Sequence, residues 1–289
     1  MITIYARVAK GRERLRYAGI GPEEADLDAR LLAQELLGWD AARYFTSSNE
    51  PEPAGFAARY EPLVARREGR EPLAYITGRK EFWGLELEVS PAVLIPRPET
   101  ELIVEAALER FPDHHAPLEA ADICTGSGCL AVALARERPG ARFVATDVSA
   151  DALRTARRNA NRHGVADRVQ LLQADVFDGT GNGAAALFDL IVSNPPYVPE
   201  GDRATLQPEV RDHEPAIALI AGEDGLTIIR RLVEQSAGRL TPGGLLIFEF
   251  GLGQADAVRA LISQVPGLTM LEVKGDLQGI PRTAVAGRR

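Results

Sequence analysis

Asp122-Ile123-Cys124-Thr125-Gly126-Ser127-Gly128-Cys129-Leu130-Ala131 joins a short apolar run, residues 120–124, to a helix-forming segment that reaches Arg138. Two glycines in such a turn let a ligand come close to the backbone, and Ala131 is small enough for the helix to pack on the strand it follows. The N–H groups at the helix start favour an acceptor or an anion. Asp147 ends the next apolar run, 19 residues after Gly128. A carboxylate placed there can accept hydrogen bonds from two ribose hydroxyls. Loop and acid together indicate a nucleoside-containing cofactor. The same pattern serves a dinucleotide or S-adenosylmethionine and does not choose between them.

Outward from this turn the grammar is strand, helix, strand. Residues 142–146 read as a second strand, and Ser149 is a good N-cap for a helix running to His163. Apolar runs at 169–174, 187–193, 245–250, 268–274 and 283–286 complete the set. Apolar strands alternating with helices predict a parallel sheet covered on both faces. The expectation is a seven-stranded, doubly wound, Rossmann-like α/β domain over residues 98–289.

The chain ahead of it reads differently. Residues 1–75 are expected to be helical: Pro22 opens a stretch with Leu27, Leu31, Leu32 and Leu36 at helical intervals, and Gly38 ends it. Residues 53–68 repeat the pattern with Phe56, Tyr60, Leu63 and Val64. A β-hairpin link is expected over 76–97, where residues 85–89 alternate apolar and acidic. Val93-Leu94-Ile95 reads as a further strand stopped by Pro96 and Pro98, and Pro98 suits the first turn of a helix reaching Arg110. Residues 179–186 form a Gly/Ala-rich loop.

Composition excludes several classes. With 45% hydrophobic and 26% charged residues among 289, the chain is globular rather than disordered. No apolar run approaches the ~18 residues a membrane span needs. Arg7 and Lys10 interrupt the N-terminus before a signal-peptide core forms, so a cytoplasmic location is expected, with no membrane partner. A net charge of −8 disfavours binding nucleic acid by phosphate neutralisation. Cys124 and Cys129 are too few and wrongly spaced for a disulfide framework or a zinc site. His114, His115, His163 and His213 are scattered, so no metal is expected.

Asn194-Pro195-Pro196-Tyr197 follows the fourth strand directly, at the carboxyl edge where open α/β sheets bind ligands. A residue preceding proline is held extended, and both Asn194 and Pro195 precede one. The stiff loop fixes the Asn194 side chain and the Pro195 carbonyl, and neither proline donates an N–H. Such a site presents two acceptors and an aromatic ring, which suits a planar substrate –NH₂ whose lone pair is delocalised. Asn194 Oδ1 and the Pro195 carbonyl can each accept one N–H, and Tyr197 can stack on the substrate plane.

Thr125-Gly126-Ser127-Gly128, Asp147 and Asn194-Pro195-Pro196-Tyr197 resemble the S-adenosylmethionine-dependent methyltransferases that modify exocyclic or amide nitrogens. Further stretches resemble one branch, the HemK/PrmC family of protein-(glutamine-N5) methyltransferases. These are Tyr75-Ile76-Thr77-Gly78 with Glu81-Phe82-Trp83-Gly84, Ile95 to Glu101, Glu214-Pro215, Gly222 to Leu226, Glu249-Phe250-Gly251, and Asp276-Leu277 with Gly279 and Arg282. The resemblance spans nearly the whole chain in order.

It implies methylation, from S-adenosylmethionine, of the glutamine in the Gly-Gly-Gln motif of class-1 peptide chain release factors. Residues 1–75 would then recognise substrate, and 98–289 form the methyltransferase domain. The resemblance places the donor on Cys124, Thr125, Gly126, Ser127, Gly128, Asp147, Asp175, Val176 and Asn194. It places the substrate amide on Asn194, Pro195, Pro196 and Tyr197, with Asn194, Pro195 and Tyr197 catalytic. The family usually has glycine where this chain has Cys124, which is accommodated if that residue keeps a negative φ with its thiol towards the sheet. Two alternatives share the Asn-Pro-Pro-Tyr loop: a ribosomal-protein glutamine methyltransferase and a nucleic-acid adenine-N6 methyltransferase. The latter would need a basic surface.

Overall fold

The computed structural model describes residues 2–178 and 187–289; the Gly/Ala-rich loop expected at 179–186 lies outside the described residues. The chain forms two compact units. One comprises Met1–Gly78 together with Gln207–His213, and the other comprises Arg79–Leu206 and Glu214–Arg289.

The first unit holds α1 (Ile4–Tyr17), α2 (Pro22–Leu37), α3 (Ala41–Ser47), α4 (Phe56–Glu68) and α5 (Leu73–Thr77). Thr3 caps α1 through its side chain, and Pro22 begins α2 with Glu23 and Glu24 in its first turn. Gly38 closes α2 in the left-handed conformation. Ile4, Val8, Leu32, Phe56, Tyr60 and Val64 form the core. Of the leucines expected to line α2, Leu32 lies in the core and Leu36 packs against it, but Leu27 is 43% exposed, and Ala25, Asp28, Ala29 and Ala33 face inward instead. Alanines let the neighbouring helices approach closely, and Asp28 can face inward because a cation meets it. That cation is Arg67, 1% exposed, which donates to Asp28 (2.6 Å), Glu24 (2.8 Å) and Glu209 (2.9 Å). Glu209 lies on the short helix within Gln207–His213 and also accepts from Arg70 at 2.7 Å.

The second unit opens with a hairpin, β1 (Arg79–Phe82) and β2 (Leu85–Glu88), turning at Trp83-Gly84. Both turn residues have positive φ, as a two-residue hairpin of this hand requires. Trp83 is held there by donating its backbone N–H to Glu101 and its indole N–H to Glu137. Residues 93–95 are not a strand. They run as irregular chain, because the Ile95 N–H is taken by Glu214 instead of a ladder partner.

Then follow α6 (Glu101–Arg110), β3 (Leu118–Ile123), α7 (Cys129–Glu137), β4 (Ala141–Asp147), α8 (Ala150–Arg162), β5 (Val169–Gln173) and β6 (Phe188–Ser193). After α9 (Pro208–His213), which belongs to the first unit, come α10 (Thr227–Ala237), β7 (Leu240–Glu249), α11 (Ala255–Gln264), β8 (Leu268–Gly275) and β9 (Pro281–Arg288). The seven-stranded sheet has the order β5-β4-β3-β6-β7-β9-β8. The sheet is mixed rather than wholly parallel: β9 runs antiparallel to both β7 and β8. The short connection between β8 and β9 explains this, since a parallel pair would need a crossover of a dozen residues or more.

Strand side chains alternate between two cores. Ala120, Leu190, Val192 and Ile247 pack with α6 and α7 on one face. Ala121, Ile191, Leu246 and Phe248 pack with α10 and α11 on the other.

Candidate active site

The chain proceeds from β3 to β4 and β5 on one side, then returns to place β6 on the other side of β3. The switch point is therefore at the carboxyl ends of β3 and β6, where open α/β sheets leave a crevice. Ile123 and Ser193 are register partners there, and Ser193 Oγ donates to the Ile123 carbonyl at 2.6 Å. The glycine loop and the Asn-Pro-Pro-Tyr loop thus leave adjacent strands side by side.

The glycine loop is shaped by its own side chains. Asp122 is fully buried; one oxygen accepts from Thr125 Oγ1 (2.6 Å) and from the Ala131 N–H (3.1 Å), and the other has no partner among the described residues. Burial pushes this carboxyl up to about 7, against the pull of those two hydrogen bonds. Gly128 has φ +81°, and a Cβ there would lie 3.1 Å from that of Ala156 on α8, so glycine serves both the turn and the helix contact. Asn159, fully buried on α8, donates to the carbonyls of Ser127 and Glu88 and accepts from the Glu88 N–H, tying loop to hairpin.

Cys124 departs from expectation. Its φ is +60°, not negative, because the chain must turn left-handed as it leaves β3 for the Thr125 N–H to reach the Thr146 carbonyl at 2.9 Å. A side chain in this region costs roughly 1–2 kcal/mol, which is why glycine suits the position. Burial raises the Cys124 thiol well above the ordinary thiol range. Cys129 is likewise raised, to about 12.

Asp147 ends β4. Its Oδ2 accepts from the Gly126 N–H and its Oδ1 from the Ser149 N–H, each at 2.9 Å. Burial raises this carboxyl, and the backbone hydrogen bonds oppose that shift. Each oxygen retains a lone pair for a ligand hydroxyl. Val176 has φ +59°, and its carbonyl accepts from Thr146 Oγ1; Asp175 is gripped by Arg231 at 2.9 and 3.0 Å.

Cys124, Thr125, Gly126, Ser127, Asp147, Asp175, Val176, Asn194 and Pro196 line one pocket of about 290 Å³. Val93, Leu94 and Pro96 supply an apolar wall, and Thr100 a polar point. Gly128, Pro195 and Tyr197 are not part of the lining. Tyr197 packs against the second core, and its hydroxyl donates to Glu249 at 2.9 Å. Gly225, with φ +72°, backs this loop: a Cβ there would lie 2.3 Å from the Tyr197 carbonyl, which also accepts from Gln254 at 3.0 Å.

Asn194 Nδ2 donates to Thr100 Oγ1 at 2.8 Å, and Thr100 Oγ1 donates in turn to Glu249 Oε2 at 2.6 Å. Asn194 Oδ1 is buried and has no partner among the described residues. Glu249 is nearly inaccessible, and burial raises its carboxyl while the hydrogen bonds from Thr100 and Tyr197 lower it. Thr100 and Glu249 fall within the family-like stretches 95–101 and 249–251 but are not among the expected site residues, and Asn159 lies outside both sets. The signal was present for Glu249, an acid closing the apolar run 245–248. Arg97 pairs with the buried Glu214, and His213 approaches the Gly69 carbonyl in the first unit. Among the described residues no cluster could hold a metal ion, and no helix is long and apolar enough to cross a membrane.

The chain resembles known proteins along most of its length. The family model for the PrmC N-terminal domain matches residues 8–78, and that for the methyltransferase small domain matches residues 100–208. A release factor glutamine methyltransferase of Geobacter sulfurreducens is 45% identical over 93% of this chain and 91% of its own length. One from Bradyrhizobium diazoefficiens is 44% identical over 96% of this chain and 91% of its own length. Among solved structures, the hMettl16 catalytic domain in complex with MAT2A 3'UTR hairpin 1 has a TM-score of 0.58 at 16% identity, covering 89% of this chain and 90% of that one. That likeness is one of fold.

Proposed function

This chain belongs to the release factor glutamine methyltransferase family, and from that premise we propose that it methylates the side-chain amide nitrogen (N5) of the glutamine in the Gly-Gly-Gln motif of class-1 peptide chain release factors. S-adenosylmethionine is the donor in this reading, and the helical unit recognises the protein substrate. The observation that carries the reading is the unmet acceptor of Asn194 at the switch point, beside a glycine loop and a ribose-type acid. A buried oxygen without a partner needs an explanation, and an incoming –NH₂ provides one.

The pocket suits the donor. The two spare lone pairs of Asp147 match a pair of ribose hydroxyls, Asp175-Val176 flank the space beyond them, and Cys124 to Gly128 bring backbone close to the ligand. When bound, S-adenosylmethionine supplies a methyl group activated by its sulfonium charge.

The chain's own contribution is orientation. Asn194 Oδ1 and the Pro195 carbonyl each take one N–H of the glutamine amide, which leaves its nitrogen lone pair turned towards the donor. No base is required beforehand, because the cationic product sheds its proton readily. Val93, Leu94 and Pro96 keep water from the site, where neutralisation of the sulfonium charge is favoured. Tyr197 holds the loop from behind through Glu249.

Asp147→Ala is expected to weaken donor binding by about 1.5–3 kcal/mol, roughly 10- to 150-fold in Kd. Calorimetry giving wild-type affinity would remove Asp147 from the donor site. The function itself is tested by supplying labelled S-adenosylmethionine with a release factor, a ribosomal protein or DNA, and locating the label by mass spectrometry. Label on the Gly-Gly-Gln glutamine is expected; label only on ribosomal protein or DNA overturns the reading.

A further inference from the structure

We propose that Thr100 and Glu249 form a positioning relay that determines which end of the Asn194 carboxamide is presented to the substrate, an inference that rests on the role of Asn194 given above. The two ends of a carboxamide are nearly equal in size, so packing alone does not distinguish them. Only hydrogen bonding can. A flipped Asn194 would aim N–H groups at a substrate –NH₂, and donor would meet donor.

The relay resolves this by proton count. In the proposed relay Glu249 is ionised, the form its two hydrogen bonds favour against burial, and so only accepts, from Thr100 Oγ1 (2.6 Å) and from the Tyr197 hydroxyl (2.9 Å). A threonine hydroxyl has a single proton, so Thr100, with that proton directed at Glu249, offers Asn194 lone pairs alone. Asn194 must then turn Nδ2 to Thr100, at 2.8 Å, which leaves Oδ1 as the free acceptor. Glu249 closes β7, Thr100 precedes α6 and Asn194 follows β6, so the polarity is enforced across three elements of one unit.

The choice of residue supports the role. Thr100 and Glu249 are 0% and 2% exposed. A carboxylate in such a position costs desolvation that glutamine would avoid. What glutamine lacks is exclusivity: its amide has a donor end, and by donating to Thr100 it would let that hydroxyl point at Asn194 and reverse it.

Three variants test this in the full chain, scored as the ratio of variant to wild-type turnover on whichever substrate wild type labels. A wrong substrate assignment therefore leaves the ratio readable. Thr100→Val, equal in shape but without the hydroxyl, should lower kcat roughly ten- to a hundredfold, with KM for both substrates within about threefold. Glu249→Gln should fall in the same direction, and Thr100→Ser should recover to within about threefold of wild type. In an Asn194→Ala background, Thr100→Val should cost nothing further, because its effect passes through Asn194. A purely structural role would instead lower thermal stability and leave this coupling absent.

An activity-free reading comes from NMR of the Asn194 side-chain NH₂, assigned by its disappearance in Asn194→Ala. Slow exchange with solvent in wild type and fast exchange in Thr100→Val is the expected pattern. Unchanged exchange, wild-type turnover in Thr100→Val, or losses that multiply with those of Asn194→Ala would each overturn the relay.

Discussion

Asn194→Ala is expected to lower turnover by about a hundredfold or more while leaving the fold intact, because it removes the acceptor proposed to orient the substrate nitrogen. A factor of a hundred corresponds to about 2.7 kcal/mol of transition-state stabilisation. That exceeds the ~0.5–1.5 kcal/mol of an ordinary hydrogen bond, since what is lost is alignment as well as contact. The backbone should not respond. The loop is held independently by Pro195 and Pro196, by the Tyr197 hydroxyl on Glu249 and by Gln254 on the Tyr197 carbonyl. The loss should therefore fall on kcat, with donor affinity changing only a few-fold. Single-turnover rates with both substrates saturating, set beside calorimetry of the donor, separate the two. Near-normal turnover would take Asn194 out of the mechanism.

The largest stability effect is expected in the helical unit. Arg67→Met keeps most of the buried stem but leaves Asp28 facing the core without its cation, at a cost of about 3–5 kcal/mol. Asp28 is already raised by burial, opposed chiefly by its hydrogen bond with Arg67, so nothing else there would compensate it. Glu209 would keep only Arg70, and the helix it sits on would loosen from Arg67's side. The chain has two tryptophans, Trp39 and Trp83, and only Trp39 lies in this unit. Denaturant unfolding followed by fluorescence in a Trp83→Phe background therefore reports on it alone. Adding Asp28→Leu to Arg67→Met should recover most of the loss, because the orphaned charge goes with it. A change below about 1 kcal/mol in the single variant would mean that the cluster is as weak as a surface ion pair.

Much of the fold was legible locally. The start of α2 at Pro22 and its end at Gly38, the Ser149 cap of α8, and all seven sheet strands are written in short-range signals. The misreadings share one cause. Residues 93–95 have strand-like composition but no neighbouring strand, and Leu27 has helical spacing but no facing helix surface. Hydrophobic pattern reports what a segment can bury, not which partner is available to bury it against. Cys124 is similar: residue type argues for negative φ, and the hydrogen bond from Thr125 to Thr146 on the next strand requires the opposite.

The same division runs through the active site. The glycine loop, the acid after the second strand and the Asn-Pro-Pro-Tyr loop are each read from a short stretch of chain, so local residue order alone supplied the groups behind the proposed chemistry: backbone approach, ribose acceptors and a rigid pair of oxygens. In the proposed relay the direction of the Asn194 amide depends on residues 94 and 55 positions away, Thr100 and Glu249, which meet it because α6 packs across the neighbouring strands β6 and β7. A hydrogen bond's direction depends on where both partners stand in space. Local preference along the chain can supply the groups, but strand order and register supply their geometry.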